Sequence, residues 1–252
     1  MVARAPRAAR RVAAVWRALA TPEPGGRPTA PVVSGSLPAP AHRWVARAVA
    51  PGRASCGTAV LAMHGRIRIG DWRAFTARQV IAAGRGYVWA ATARFGPVPV
   101  LGYDRYSGGT GEMRWRLAGL VPVMSADGRD VTRSAAGRLA GEIVLTPGAA
   151  LGPGVRWEAL DHDRAVAHVT VAGTEHPVTI EVDDGGVLRS VRLPRWGDPA
   201  GDGYGLHEFV VRCAGEREHD GVRLPARYVA AWQVHGRETP FFEAEIDTAT
   251  FP

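Results

Sequence analysis

One change of hydrophobic period does most to limit what this chain can become. From Tyr103 to Pro147 the sequence runs YDRYSGGTGEMRWRLAGLVPVMSADGRDVTRSAAGRLAGEIVLTP. It reads as a strand end, a glycine turn, a second strand, a loop and then an amphipathic helix. Asp130 is placed to cap that helix. Val131, Ala135, Leu139 and Ile143 recur at four-residue spacing behind it, and Pro147–Gly148 ends the run. Gly137 and Gly141 each weaken a helix by about 1 kcal/mol relative to Ala. Lying on one ridge, they imply that a strand or another backbone passes close by.

Arg138 and Glu142 stand four residues apart on the same helix, beside Val131 and Ala135. They admit two readings: an ion pair at the core's edge, worth ~0.5 kcal/mol if exposed, or a charged pair inside a cavity, holding a polar group of a ligand. Arg before Glu is the weaker order for helix support, which leans away from helix stabilisation alone.

The flanks of this helix read as strands and turns. Before it come residues 58–69, 87–94, 98–106 and 112–117. Between the first two lies 71–83, which fits either a helix capped by Asp71 or a strand with Phe75, Ala77, Gln79 and Ile81 alternating, the strand being favoured by its neighbours. After the amphipathic helix come 155–160, 165–172, 177–183, 187–193, 207–215, 222–232 and 240–250. Turn chemistry at Asp163–Arg164, Gly173–Thr174, Asp184–Gly185 and Asp220–Gly221 favours hairpins. Consecutive hairpins argue for an antiparallel meander over alternating βαβ units. The expected class is therefore α+β, mostly β: a curled antiparallel sheet packed around one central helix. Residues 39–49 fit a short helix with Trp44 and Val45 turned inward.

At 252 residues and 46 % hydrophobic, the chain suffices for one large core. The expected organisation is a basic arm and Pro/Gly-rich linker over 1–36, then one β-rich domain over 37–252. Its net charge of +7 is concentrated: residues 1–53 hold nine Arg and one acidic residue, and the rest is nearly neutral. That arm is expected to be solvated, with contact to an anionic membrane surface as one alternative. Nucleic acid is a less favoured partner, although Trp16 and Trp44 sit among the arginines. No stretch approaches the roughly 20 apolar residues of a membrane span. Cys56 and Cys213 are too few for a disulfide framework, which leaves one bridge open and favours a reduced, cytoplasmic setting.

Lys and Asn are absent. That removes the Walker A lysine, a Schiff-base lysine and N-glycosylation. GGTG at 108–111 lacks a following GK[ST] and reads as a turn. No G-x-S-x-G or H-E-x-x-H motif occurs. Glu216, Glu218, His219 and Asp220 have metal-binding chemistry but read as a solvated hairpin tip. No metal and no cofactor is expected. His64, His168 and His207 fall on strands and read as sheet residues. The candidate ligand-binding residues are Asp104, Arg138 and Glu142 for a polar end, with Trp89, Trp115, Trp157 and Trp232 walling an apolar cleft. Trp72 is a fifth aromatic of the same kind.

Several segments together carry a resemblance: HGRIRIGDW, FTARQ…YVWAA, YDRYSGGTGEM, RLAGE…LTPGAAL, RWEALDHDRAVA and DGVRLPARYVAAW. From about Leu37 to Phe251 the chain resembles a family of uncharacterised bacterial proteins bearing a domain-of-unknown-function label. The resemblance implies a shape similar to the lipoprotein-carrier proteins, a half-open β-barrel closed by a helix over an apolar cleft. It supplies no catalytic residues. Family members often carry hydrophobic N-terminal segments, where this chain has its basic arm. The expected function is binding of a hydrophobic or amphipathic small molecule. The alternative is a hydrolase or isomerase on the same frame, with Glu142 or Asp104 as general base. A third reading is peripheral membrane or nucleic-acid contact through residues 1–53.

Overall fold

The β-propensity of the flanking segments is realised almost strand for strand. The computed structural model describes residues 4–22, 37–51 and 57–252. Two helices come first, α1 (Ala13–Ala20) and α2 (Ala39–Ala48). Six strands follow: β1 (Thr58–Ile69), β2 (Asp71–Ala82), β3 (Gly86–Phe95), β4 (Val98–Ser107), β5 (Thr110–Leu117) and β6 (Val121–Ala126). Helix α3 (Arg129–Gly141) separates them from β7 (Val155–Ala159), β8 (Arg164–Val171), β9 (Thr174–Val182) and β10 (Leu188–Gly197). The chain ends with β11 (Gly205–His219), β12 (Val222–Val234) and β13 (Arg237–Thr250).

All the described strands join one antiparallel sheet, in the order β6-β5-β4-β3-β2-β1-β13-β12-β11-β10-β9-β8-β7. Two meanders thus grow outward from a shared seam, where β1 pairs with β13 from Val60↔Thr250 to Ile67↔Phe242. The edges β6 and β7 do not pair, so the sheet is curled and open. Helix α3 lies on the connection between those two edges and rests on the concave face.

Alternation within the strands gives the N-terminal half two buried faces. Leu61, Met63, Phe75, Ile81, Tyr87 and Trp89 point into the concave core. Val60, Val80, Ala82, Val88, Ala90 and Tyr103 point outward, against Ala9, Val12, Trp16 and Leu19. Strands buried on both faces read as nearly continuous apolar runs, as TAVLAM and YVWAA do.

This corrects the expectation of a solvated arm. Residues 7–20 form a 3-10 turn running into α1, and Trp16 is fully buried. The guanidinium of Arg85 donates to the carbonyls of Ala18 and Thr21 at the end of α1, and Arg78 lies over the Trp16 ring. Trp44 is buried too, so neither tryptophan is free to stack on a base. The linker residues 23–36 and Cys56 lie outside the described residues. No helix among the described residues is long and apolar enough to cross a membrane.

Helix α3 begins two residues earlier than its sequence suggests. Gly128, at φ 96°, is the N-cap, and Asp130 sits inside the first turn. There the Asp130 carboxylate accepts a 2.8 Å bond from Trp196 Nε1, in the favourable field of the helix N-terminus. Two 3-10 turns continue the segment, Glu142–Leu145 and Pro147–Leu151. Leu139 and Ile143 are each 3 % exposed, a burial worth about 1.5–3 kcal/mol apiece. The glycine ridge does face a close neighbour, since a Cβ on Gly137 would meet Arg195 Cγ at 3.3 Å and one on Gly141 would meet Leu193 Cδ2 at 3.2 Å. On the other side Gly111 of β5 lets the helix approach, and its N–H donates to Thr132 Oγ1 at 3.0 Å. The stretch expected as a loop before α3 contains strand β6, whose Pro122 is tolerated because β6 lies at the sheet edge.

Candidate functional site

The curl of the sheet and the small residues of α3 leave the concave side incompletely filled. A cavity of about 520 Å³ lies between α3 and the sheet. Its aliphatic lining includes Ile67, Val144, Val191 and Leu193, and its aromatic lining includes Trp89, Trp115, Phe209, Trp232 and Phe242. Two tryptophans are seated against glycines. A Cβ on Gly102 would overlap the Trp115 ring, and one on Gly197 would meet Trp232 Cη2 at 2.8 Å.

The polar end is built from four strands and the helix segment. Cross-strand pairing sets Trp89 opposite Asp104 and Gly102 opposite Trp115. Trp115 Nε1 donates to Asp104 Oδ1 at 3.0 Å, and Arg138 Nη1 donates to Asp104 Oδ2 at 3.4 Å. Arg138 Nε donates to Glu142 Oε1 at 2.7 Å, while Gln79 Nε2 donates to Glu142 Oε2 at 2.7 Å. The guanidinium lies 4.5 Å from the Tyr87 ring centroid and 5.5 Å from that of Trp89. Burial alone would lower the Arg138 pKa, but Glu142, Tyr87 and Asp104 outweigh it and raise it. Burial raises the Asp104 carboxyl above its ordinary 3.8, against the pull of Arg138 and Trp115. Burial likewise pushes the Tyr87 phenol up to about 12. Of the two readings of Arg138 and Glu142, the geometry matches a charged pair on a cavity wall.

Facing this cluster is Arg195 of β10, which sequence reasoning overlooked. Its Nε and Nη2 donate to the carbonyl and hydroxyl oxygens of Ser134 at 3.2 and 3.3 Å. Its guanidinium lies 4.8 Å from the Phe209 centroid and 5.2 Å from that of Trp232. Burial brings its pKa down to about 10, which leaves it a cation at neutral pH. A signal existed: Val191, Leu193, Arg195 and Gly197 alternate along one face of the strand. Gln79, also buried, stood on the apolar face with Phe75, Ala77 and Ile81 in the same way.

Asp104, Arg138, Glu142, Trp89, Trp115 and Trp232 all line the cavity. Trp157 does not. It packs 6.1 Å from Trp44 beneath α2 and donates to the Ala150 carbonyl at 2.9 Å. Trp72 is likewise absent from the lining and carries Arg66 over its ring. His64 is bonded to Asp247, and His168 bridges Glu158 and Glu175. His207 packs edge-on against Trp232. Glu216 and Glu218 are engaged by Arg47 and Arg223. GGTG makes the two-residue turn between β4 and β5, with Gly108 and Gly109 both at positive φ. Cys213 is a free thiol on the cavity wall, and burial pushes it up to about 12.

No curated protein matches the chain significantly. Among solved structures, it is similar to a domain described as an outer membrane lipoprotein-sorting protein from Vibrio parahaemolyticus. That match has 10% identity and a TM-score of 0.44, over 77% of this chain and 85% of that one. A LolA superfamily protein from Nitrosomonas europaea matches with 9% identity and a TM-score of 0.44, over 86% of this chain and 94% of that one. The model of a family of unknown function, DUF6920, covers residues 35–251, and the chain belongs to that family.

Proposed function

We propose that the protein binds a hydrophobic or amphipathic small molecule in this cavity. Its apolar part lies against the tryptophan and phenylalanine walls, and its polar part faces Arg138, Glu142 and Asp104. The observation that carries this reading is an open space of about 520 Å³, within the roughly 300–1,000 Å³ of small-molecule sites. A folded interior gains by closing such space. Both oxygens of Asp104 and of Glu142 already accept hydrogen bonds, which supports a positioning role over proton abstraction. Delipidated protein is expected to take up a neutral naphthylamine probe with a rise in its fluorescence, and a long-chain amphiphile is expected to displace it. Val211→Trp, on the cavity lining, is expected to weaken that binding at least tenfold. Unchanged affinity in a folded Val211→Trp variant would remove the proposal.

The outward side of α1 supports a second reading, contact with an anionic surface. Arg7, Arg10, Arg11 and Arg17 are exposed there, and none pairs with a carboxylate among the described residues. Glutamate at Arg10 and Arg11 is expected to abolish sedimentation with phosphatidylserine vesicles, and added salt to weaken it steeply. Binding that ignores both changes would eliminate this contact.

A further inference from the structure

We propose that the polar end of the cavity's ligand is an anion, a carboxylate or phosphate ester, and that Arg195 holds it. This deepens the reading of the cavity as an amphiphile site and rests on it. The argument begins with a census of charge around the cavity. Arg138 is matched by Asp104 and Glu142. Arg105 is matched by Glu112. Asp198 accepts the backbone N–H groups of Gly201 and Gly203 within its own turn. Arg195 is the one lining cation that no carboxylate of the described residues touches, and its charge is balanced only at longer range, by Asp104 and Glu142.

A guanidinium cannot shed its charge at neutral pH, and it offers five N–H donors in a planar fork. Ser134 takes two of them. The rings of Phe209 and Trp232 lie near the guanidinium, and ring faces can meet its charge but do not accept its remaining N–H groups as an oxygen would. Its remaining N–H groups, facing the cavity without an acceptor, are the unfavourable feature. The nearby carboxylates cannot turn to it without abandoning Arg138, Trp115 or Gln79. The missing acceptor is therefore a group arriving from the cavity, and the paired oxygens of a carboxylate or phosphate match the spacing of the fork. A chain attached to that anion would continue along the apolar walls. That geometry separates a headgroup from a free ion.

The test compares three probes of equal chain length, hexadecanoate, hexadecyl phosphate and hexadecanol, with inorganic phosphate as a fourth arm. Affinities are read by displacement of a neutral naphthylamine probe from wild-type, Arg195→Met and Arg195→Lys proteins, each checked for native circular dichroism. Both anionic amphiphiles are expected to bind wild type about tenfold or more tighter than hexadecanol. Arg195→Met should lose that preference while keeping its hexadecanol affinity, and Arg195→Lys should keep part of it. Inorganic phosphate alone should not displace the probe. Equal binding of anionic and neutral amphiphiles, or a preference that survives Arg195→Met, would overturn the anion assignment and leave the cavity reading intact. Displacement by inorganic phosphate at the same concentrations would overturn the headgroup assignment in favour of a free anion. Failure of all three amphiphiles to bind would overturn the cavity reading and this inference together.

Discussion

The two walls of the cavity are built to one plan and finished differently. On each, a tryptophan packs on a glycine, Trp115 with its ring over Gly102 and Trp232 with its outer edge against Gly197. On each, an arginine rests against aromatic rings. On the β3–β5 wall every charge has a partner: the indole holds Asp104, and Asp104 and Glu142 hold Arg138. On the β10–β12 wall the arginine has only the oxygens of Ser134. A matched cluster holds itself in place, whereas an unmatched cation stands ready for something else. The difference teaches that burial of charge alone does not mark a binding group, and that the state of its partners does.

The largest effect expected separates the arginines. Arg138→Met leaves Asp104 and Glu142 buried without their cation and should lower stability by about 3–5 kcal/mol. Arg195→Met orphans no carboxylate and should stay within about 1 kcal/mol of wild type in the absence of ligand. Denaturant midpoints of the two variants measure this directly, and equal losses would erase the contrast. A smaller effect is expected at the glycines. Gly102→Ala drives a methyl into a ring tethered by Asp104 and should destabilise by about 1–3 kcal/mol. Gly197→Ala meets the edge of Trp232, which has no hydrogen-bonded anchor among the described residues, and should be the milder of the two. Reversal of that order would show that the tether does not matter.

An effect of similar size to that at Gly102 is expected at Glu112, and it depends on pH. Burial would raise the Glu112 carboxyl, but hydrogen bonds from Arg105 and Tyr103 outweigh it and hold it below its ordinary 4.5. Depressed in the folded state, this group contributes stability above 4.5 that disappears as pH falls through its lowered value. Glu112→Gln should therefore destabilise by about 1.5–3 kcal/mol near pH 7 and by progressively less in acid. Its counterpart beyond the other wall, Glu238, is also held low by Arg212, but its side chain is 30 % exposed. Glu238→Gln should change stability by no more than about 1 kcal/mol. Thermal or denaturant melts between pH 3 and 7 read both.

Much of this architecture was legible because alternation and turn chemistry are local. Asp184–Gly185 and Asp220–Gly221 announce hairpins without knowledge of anything distant, and the strands beside them fall where alternation puts them. Arg138 and Glu142 were legible as a pair because one helix carries both. What escaped depends on which face of a long sheet a residue meets and where along it. Trp157 alternates like Trp115, yet its strand ends under α2 instead of over the cavity. Arg195 belongs to an apolar row, but a strand read as stopping at Leu193 leaves it out. Residues 2–20 read as a basic, weakly amphipathic helix whose charge points it to solvent, but Val12, Trp16, Leu19 and Ala20, at helical spacing, are buried against the sheet. Five surface arginines obscured four buried side chains.

The seam between β1 and β13 carries a consequence for how the molecule assembles. Val60 and Thr250 are neighbours in space and nearly the whole chain apart in sequence. Each meander can zip from its own hairpins, but the ring of contacts beneath α3 closes only when both have been synthesised and brought together. Such non-local closure is slow. Until it happens, the apolar floor of the cavity and two unpaired strand edges are open to water and to other chains. A molecule bound across both walls would favour the joined state over the two separate halves, so occupancy of the cavity should speed productive assembly or protect its product.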